Sequence, residues 1–324
     1  MKAFVTGGTG FIGINLIHEL LKDGWKVSVL HRKTSDLSRL AKLEVELEEG
    51  DITNENQMED IIKNGAFDAI FHVAGDVSLW KLRNQLQDEI NIIGTRTLAR
   101  LALKHEVKRF IHTSTVSVWG LQEGTLNEST EKLGGEAPIN YMRSKFFGEQ
   151  EVLACSEEGL DAVILNPCHV MGPYDEQNWA QLFFLIKEGK LPGVPPGMGT
   201  YCHVSEVAKA HVNAFHRGQK GHCYLLGGEQ ASYVQVGKKI AGLVSEKAPS
   251  QLPKWLLAMV GKLSEGVGWI TGKEPTMTPE KAALLSHDVK VDCSKAKNEL
   301  GYREIPLDKI LEESYQWLHA QGDL

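Results

Sequence analysis

Apolar and polar positions in the first half of the chain follow two rhythms. Lys2–Thr6 is a short apolar run that reads as a strand, and Ile12–Lys22 follows with Ile12, Leu16, Leu20 and Leu21 at helical spacing. Lys26–Leu30 reads as a second strand. Ala69–Val73 and Arg109–Thr113 predict two more, separated by a long helical stretch around Asn91–Lys104. Ala162–Leu165 follows a helical segment that begins near Tyr141. Strands alternating with helices build βαβ units, and right-handed crossovers then give an α/β fold with a doubly wound parallel sheet.

Beyond Pro167 the texture changes. Pro192, Pro195 and Pro196 cluster with Gly189, Gly193, Gly197 and Gly199, which is loop chemistry. Helical periods return at Ser205–Phe215, Ser232–Ser245 and around Trp255. Another helix is entered at Thr278-Pro279-Glu280, where Thr278 suits a cap and Pro279 the first helical position. A last one runs near Leu307–His319, and Asn298–Gly301 reads as a helix end with glycine past the final turn. The pattern divides the chain near residue 170, into 1–170 and a smaller, mostly helical part over 171–324, the two interleaved.

Composition narrows the function. The 324 residues carry 35 Lys and Arg against 42 Asp and Glu, a formal net charge of −7. Such a chain lacks the broad basic surface that nucleic acid or an anionic membrane attracts. Five scattered cysteines with no CxxC spacing fit reduced thiols in a cytoplasmic protein. The twelve histidines form no HExxH or other ligand spacing, so no metal is expected. The N-terminus has no apolar signal core. The run Trp255–Val260, bracketed by Lys254 and Lys262, is far shorter than the ~20 residues that span a bilayer.

Three motifs carry chemistry. The first, Thr6-Gly7-Gly8-Thr9-Gly10-Phe11-Ile12-Gly13, lies between the first strand and the first helix. Its glycines allow a tight turn, close approach to a pyrophosphate and tight helix–sheet packing, while the helix N-terminus offers free N–H groups to phosphate. The second is Val29-Leu30-His31-Arg32-Lys33 at the end of the second strand. An acid there would bind the ribose hydroxyl of NAD(H), whereas Arg32, flanked by His31, can grip the extra phosphate of NADP(H). The third is Tyr141-Met142-Arg143-Ser144-Lys145, which sets Tyr141 and Lys145 one helical turn apart. An ammonium beside a phenol favours phenolate, lowering its pKa toward general acid/base use. The strand Phe110-Ile111-His112-Thr113-Ser114-Thr115 ends in three hydroxyls, where an α/β sheet places its ligands.

Taken in order with Asn91-Ile92-Ile93-Gly94-Thr95 and Leu165-Asn166-Pro167, these motifs resemble the extended short-chain dehydrogenase/reductase family over nearly the whole chain. His72-Val73-Ala74-Gly75-Asp76, Arg109–Gly120 and Ser294–Tyr302 look most like its dihydroflavonol 4-reductase-like branch, which also holds aldehyde and ketone reductases and hydroxysteroid dehydrogenase-like proteins. The resemblance implies a Rossmann domain over 1–170 and a substrate-binding part over 171–324. It implies Tyr141 as acid/base, Lys145 as its partner and a ribose contact, and Thr115, with Ser114 as the alternative, as the hydroxyl on the substrate oxygen. Gly7, Thr9, Gly10, Phe11, Ile12 and Gly13 would line the pyrophosphate, Asp51 and Ile52 the adenine, Val73, Ala74 and Gly75 the underside of the cofactor, and Pro167 and His169 the nicotinamide. The implied activity is carbonyl–alcohol interconversion on a moderately apolar small molecule. A nucleotide-sugar epimerase and a non-catalytic cofactor sensor are the rivals. The family's homodimers pair through the helices of Asn91–Lys104 and Tyr141–Cys155.

Other residues look functional and read otherwise. Cys168-His169 reads as pocket lining and His203-Val204-Ser205-Glu206 as a strand end with a helix cap. The Trp255–Val260 stretch reads as a pocket or core helix rather than a membrane-surface one. Trp80 and Trp119 fit pocket or core equally, as do Trp179, Phe183 and Met198.

Overall fold

Seven parallel strands make the central sheet of the computed structural model, which describes every residue from Met1 to Leu324. In chain order the first half runs β1 (Lys2–Thr6), α1 (Phe11–Lys22), β2 (Lys26–His31), β3 (Val45–Glu49), α2 (Glu55–Gly65) and β4 (Ala69–His72). It continues through α3 (Asn84–Asp88), a wider π-wound stretch at Glu89–Gly94, α4 (Thr95–Lys104), β5 (Arg109–Thr113), β6 (Thr125–Leu126), α5 (Asn140–Glu157) and β7 (Ala162–Pro167). The second half holds β8 (His169–Met171), α6 (Ala180–Lys187), β9 (Met198–His203), α7 (Val204–Arg217), β10 (Cys223–Leu226), β11 (Glu229–Ser232) and α8 (Tyr233–Leu243). It closes with α9 (Lys254–Thr271), α10 (Pro279–Leu284), β12 (Lys290–Val291), α11 (Ser294–Leu300) and α12 (Leu307–Gln321).

The sheet order is β10-β7-β5-β4-β1-β2-β3. Side chains alternate between two cores as strand geometry requires. Ala3, Val5, Phe71, Ile111 and Val163 face α1 and α7, while Phe4, Ile70, Phe110 and Ala162 face α2, α4 and α5. Burial on both faces explains why these strands read as continuous apolar runs. A third cluster joins α6, α8 and α12 to a small sheet of β8, β9 and β11.

Two strands of the large sheet escape the sequence pattern. β3 is Val-Glu-Leu-Glu-Glu, a charged edge strand whose Glu46 meets Lys2 at 2.9 Å and the Ser28 hydroxyl at 2.7 Å. β10 comes from beyond residue 170 and pairs with β7, so both parts of the chain contribute to one sheet. The helix at Trp255 departs from expectation more strongly. It is neither core nor pocket: only Leu257, Gly261 and Gly268 are buried, and its large apolar side chains face outward.

Arg109, at the start of β5, fastens the sheet to the end of α7. Its guanidinium donates to the carbonyls of Ala214, Phe215 and Gly218 at 2.8–3.0 Å and to Asp161 at 2.7 Å. Phe215 is in the last turn of α7, whose carbonyls a helix C-terminus leaves without partners, while Ala214 also accepts from Gly218 N at 3.0 Å. Arg109→Met is expected to lower stability by about 1–3 kcal/mol, read as a shift in the urea unfolding midpoint with an unchanged slope.

Candidate active site

The strand order reverses between β1 and β4, where the chain leaves the sheet in opposite directions and opens a crevice at the strand ends. A cleft of about 710 Å³ lies there. Its floor is the turn after β1. Gly7 has φ +72°, and a Cβ on it would stand 2.6 Å from the Ala74 amide nitrogen; one on Gly13 would stand 2.1 Å from the Gly7 carbonyl. The turn is thus a cradle that any side chain would fill, and α1 begins at its rim with Gly10 as cap. That is the geometry a dinucleotide pyrophosphate requires.

Gly7, Thr9, Gly10, Phe11, Ile12, Gly13, His31, Arg32, Asp51, Ile52, Val73, Ala74, Gly75, Thr115, Tyr141 and His169 all line this one cleft. Arg32 is exposed at its mouth beside Ser35. The Asp51 carboxylate is engaged locally by the amide and hydroxyl of Thr53 at 2.9 and 2.8 Å. Pro167 ends β7 without reaching the cleft, whose wall is formed instead by Cys168, His169 and Val170. Lys145 lies behind the wall, 3.7 Å from where a Cβ on Gly75 would stand. Ser114 is buried and does not line the cleft, whereas Thr115 does. Trp80 and Trp119 are buried away from the cleft, the latter donating its indole N–H to Thr130 O at 3.0 Å. Trp179 lines the cleft and Phe183 belongs to the third core.

The 74–78 loop is held by Asn91. Its amide donates to the Asp76 carbonyl at 2.8 Å and to the Ser144 hydroxyl at 3.0 Å, and its side-chain oxygen accepts from Asp76 N at 2.8 Å. Asn91 sits in the π-wound stretch, and its carbonyl presses on Gly148 of α5, where a Cβ would be 2.1 Å away. Such bulges aim side chains at functional sites. Here the bulge docks the helix that carries Tyr141 and Lys145.

The electrostatics differ from the expectation drawn from spacing. Burial pushes the Tyr141 phenol above its ordinary value, and the Thr115 hydroxyl beside it opposes the rise. The Lys145 ammonium is not among the groups that shift the phenol; it donates to the Thr113 carbonyl at 2.8 Å. Lys145 is itself lowered to about 8 by burial, partly offset by the Glu149 carboxylate. Burial likewise lowers His169 to about 4 and His72 to about 3, so both are neutral near pH 7. His169 packs against Trp179 and Tyr201 with ring centroids 5.0 and 5.5 Å away.

Glu149 is the residue that motif reading passes over. It lies one turn beyond Lys145 on α5 and is fully buried. It accepts from Asn166 Nδ2 at 2.8 Å and pairs with Lys132. Asn166 Nδ2 also reaches the Thr115 carbonyl at 3.2 Å. One buried carboxylate therefore braces the Thr115 backbone and biases Lys145 toward its charged form. The i, i+4 spacing from Lys145 was the available signal.

A sequence profile of the NAD dependent epimerase/dehydratase family matches residues 3–227. A protein of Synechocystis sp., named provisionally as a dihydroflavonol 4-reductase, is 28% identical, with 98% of this chain and 95% of that one covered. The crystal structure of gox2253 superposes with a TM-score of 0.86 at 31% identity, covering 100% of this chain and 99% of the other. UDP-glucose 4-epimerase of Thermotoga maritima shares the fold at a TM-score of 0.82 and 21% identity, covering 99% and 100%.

Lys145 loses its proton as pH rises through about 8, and Glu149 raises that value. Besides Glu149, the titratable groups around it are His72 and His112, which it depresses in turn. Glu149→Gln is expected to move the alkaline limb of the kcat profile to lower pH, and Glu149→Asp to return it part of the way. A pH–rate series on the three proteins checks this.

Proposed function

The chain belongs to the NAD dependent epimerase/dehydratase family, in its extended short-chain dehydrogenase/reductase branch, and we propose that it is an NADP(H)-dependent oxidoreductase interconverting a carbonyl and an alcohol on a moderately apolar small molecule. The observation that carries this reading is that the Thr115 hydroxyl and the Tyr141 phenol line the same cleft as the glycine cradle.

The cradle fits a dinucleotide, with the Gly7–Gly13 turn and the α1 N-terminus for the pyrophosphate and Ile52 with Asp51 beside the adenine. A nicotinamide cofactor held there would supply the hydride chemistry. Tyr141 gives or takes the proton at the substrate oxygen, and its raised pKa keeps it protonated as the acid of the reducing direction. Thr115 and Tyr141 together donate to the oxygen where negative charge develops, as in an oxyanion hole. Lys145, anchored on the Thr113 carbonyl, would place positive charge toward the ribose of a bound cofactor. Neutral His169 and Trp179 offer an apolar, aromatic wall rather than a charged one.

Arg32 at the mouth of the cleft, with no carboxylate at the end of β2, supports the NADP(H) preference. The choice of substrate class rests on the cations. Arg32 and Arg83 are the ones that line the cleft, and Arg83 is paired with Asp76 at 2.5 Å. Lys187 and Lys190 are bonded elsewhere, to the Val244 carbonyl and to Glu188. A sugar diphosphate needs a free cation at the substrate end; an apolar carbonyl compound does not. Exposed Ile93 and Phe147, on the helices used by the family's dimers, support a homodimer.

Tyr141→Phe is expected to lower kcat by ~10²–10⁴-fold with NADPH affinity retained. Steady-state turnover of aldehydes and ketones, with fluorescence titration of cofactor, measures both. Arg32→Ala is expected to weaken NADPH by roughly ten- to a hundred-fold and to leave NADH nearly unchanged. Equal affinities of the native protein for the two cofactors would remove the NADP(H) assignment.

A further inference from the structure

Helix α9 is inside out by the ordinary rule for a surface helix. At 3.6 residues per turn, Trp255, Met259, Val260, Leu263, Val267 and Ile270 fall within one arc of about 140°. That arc lies opposite the buried strip of Leu257, Gly261 and Gly268. The outward residues are bare: Trp255 is 67% exposed, Leu263 65% and Ile270 88%. Gly261 meets the backbone of Thr278 and Pro279, and Gly268 meets Pro275, so the helix lies flush against the 273–280 segment and presents its apolar side to the surroundings. Singly exposed apolar residues need no explanation, but a contiguous patch on one helix does.

The charges say what covers it. Lys262 borders the apolar arc, and Lys254 and Lys273 stand at the two ends of the helix, in a chain of net charge −7. The nearby acids are turned aside: Glu265 is half-buried toward the inner side, and Glu274 accepts from the Ser78 hydroxyl at 2.8 Å. Trp255 and Trp269 stand 14 residues apart, about 21 Å along the axis, one toward each end. Paired aromatic ends, an apolar arc and flanking lysines suit a helix lying in the plane of a bilayer surface. A second copy of the chain would bring the same lysines against these, whereas anionic headgroups complement them.

The patch is also joined to the cleft. Thr278 Oγ1 donates to the Leu79 carbonyl at 2.6 Å, tying this segment to the loop whose Val77 is exposed and lines the cleft. Leu284 of α10, on which α9 packs, lines the cleft and contacts the Tyr141 cluster. Apolar surface thus runs from α9 to the mouth of the active site.

We infer that α9 docks the protein on an anionic lipid bilayer, lying in the interface without crossing it and holding the cleft mouth at the lipid surface. No helix of the protein is long and apolar enough to span a membrane, and this one needs only its outer arc. The docking is independent of which carbonyl compound the cleft turns over.

Flotation with vesicles of phosphatidylcholine, alone or mixed with phosphatidylglycerol, tests it on the full chain. The native protein is expected to float with the mixed vesicles and to be released by salt. The triple variant Trp255→Ser, Leu263→Ser, Val267→Ser is expected to lose at least about tenfold in partitioning while keeping its circular dichroism and NADPH binding. Lys254→Glu with Lys262→Glu is expected to lose about tenfold on anionic vesicles alone. Native protein that stays with neither vesicle, or a triple variant that floats as the native does, would overturn the inference. So would sedimentation equilibrium showing a dimer that the triple variant dissociates, which would make the arc a self-association surface.

Discussion

The close approach of two backbones at the seam between β1 and β4 is the constraint on which the site depends. The Ala74 amide sits where a side chain at position 7 would have to be. Thr6 fastens the seam, its hydroxyl bonded to His72 Nδ1 at 2.8 Å and accepting from Ala74 N at 3.2 Å. Because β1 and β4 are neighbours whose following segments depart to opposite sides, this contact leaves a crevice rather than a covered strand end. The glycine turn and the 73–75 segment take their positions from that seam.

Burial then sets the chemistry. Removing a charge from water is costly unless another group compensates. Histidines in the sheet respond by staying neutral; Lys145 stays near the edge of its charged range because Glu149 shares its helix. Glu149 is itself compensated by Lys132 and Asn166, and Lys132 rests over the Trp119 ring at 4.4 Å. The tryptophan thus contributes to the site indirectly, by packing under the cation that neutralises the buried acid. A network of this kind has a low tolerance for the loss of one member, since the remaining polar groups would be buried without partners.

Opposite physics governs α9 in the second half of the chain. There the chain exposes apolar side chains on a helix seated on glycine and proline, with little beneath it but one short segment. Its attachment through Ser78 and Leu79 to the loop at the cleft mouth gives one element contact with both the surroundings and the substrate entrance.

Local patterns determined much of this protein. The glycine turn, the first strands and helices, the Tyr141–Lys145 spacing and the cap at Thr278 were legible because each depends on residues within a few positions of one another. The family resemblance carried by those motifs pointed to Gly7, Asp51, Ile52 and Val73–Gly75, which do line the cleft. Tertiary structure alone decided the rest. β10 is a strand of the main sheet because β7 offers it an open edge, not because Cys-Tyr-Leu-Leu announces one. Thr115 faces the cleft and Ser114 does not, because alternate residues of an extended chain point to opposite sides. Tyr141 is raised rather than lowered, because desolvation depends on what surrounds the ring and not on spacing along the helix. The outward turn of α9 was likewise invisible to periodicity, which tells how apolar residues are spaced but not which face finds a partner.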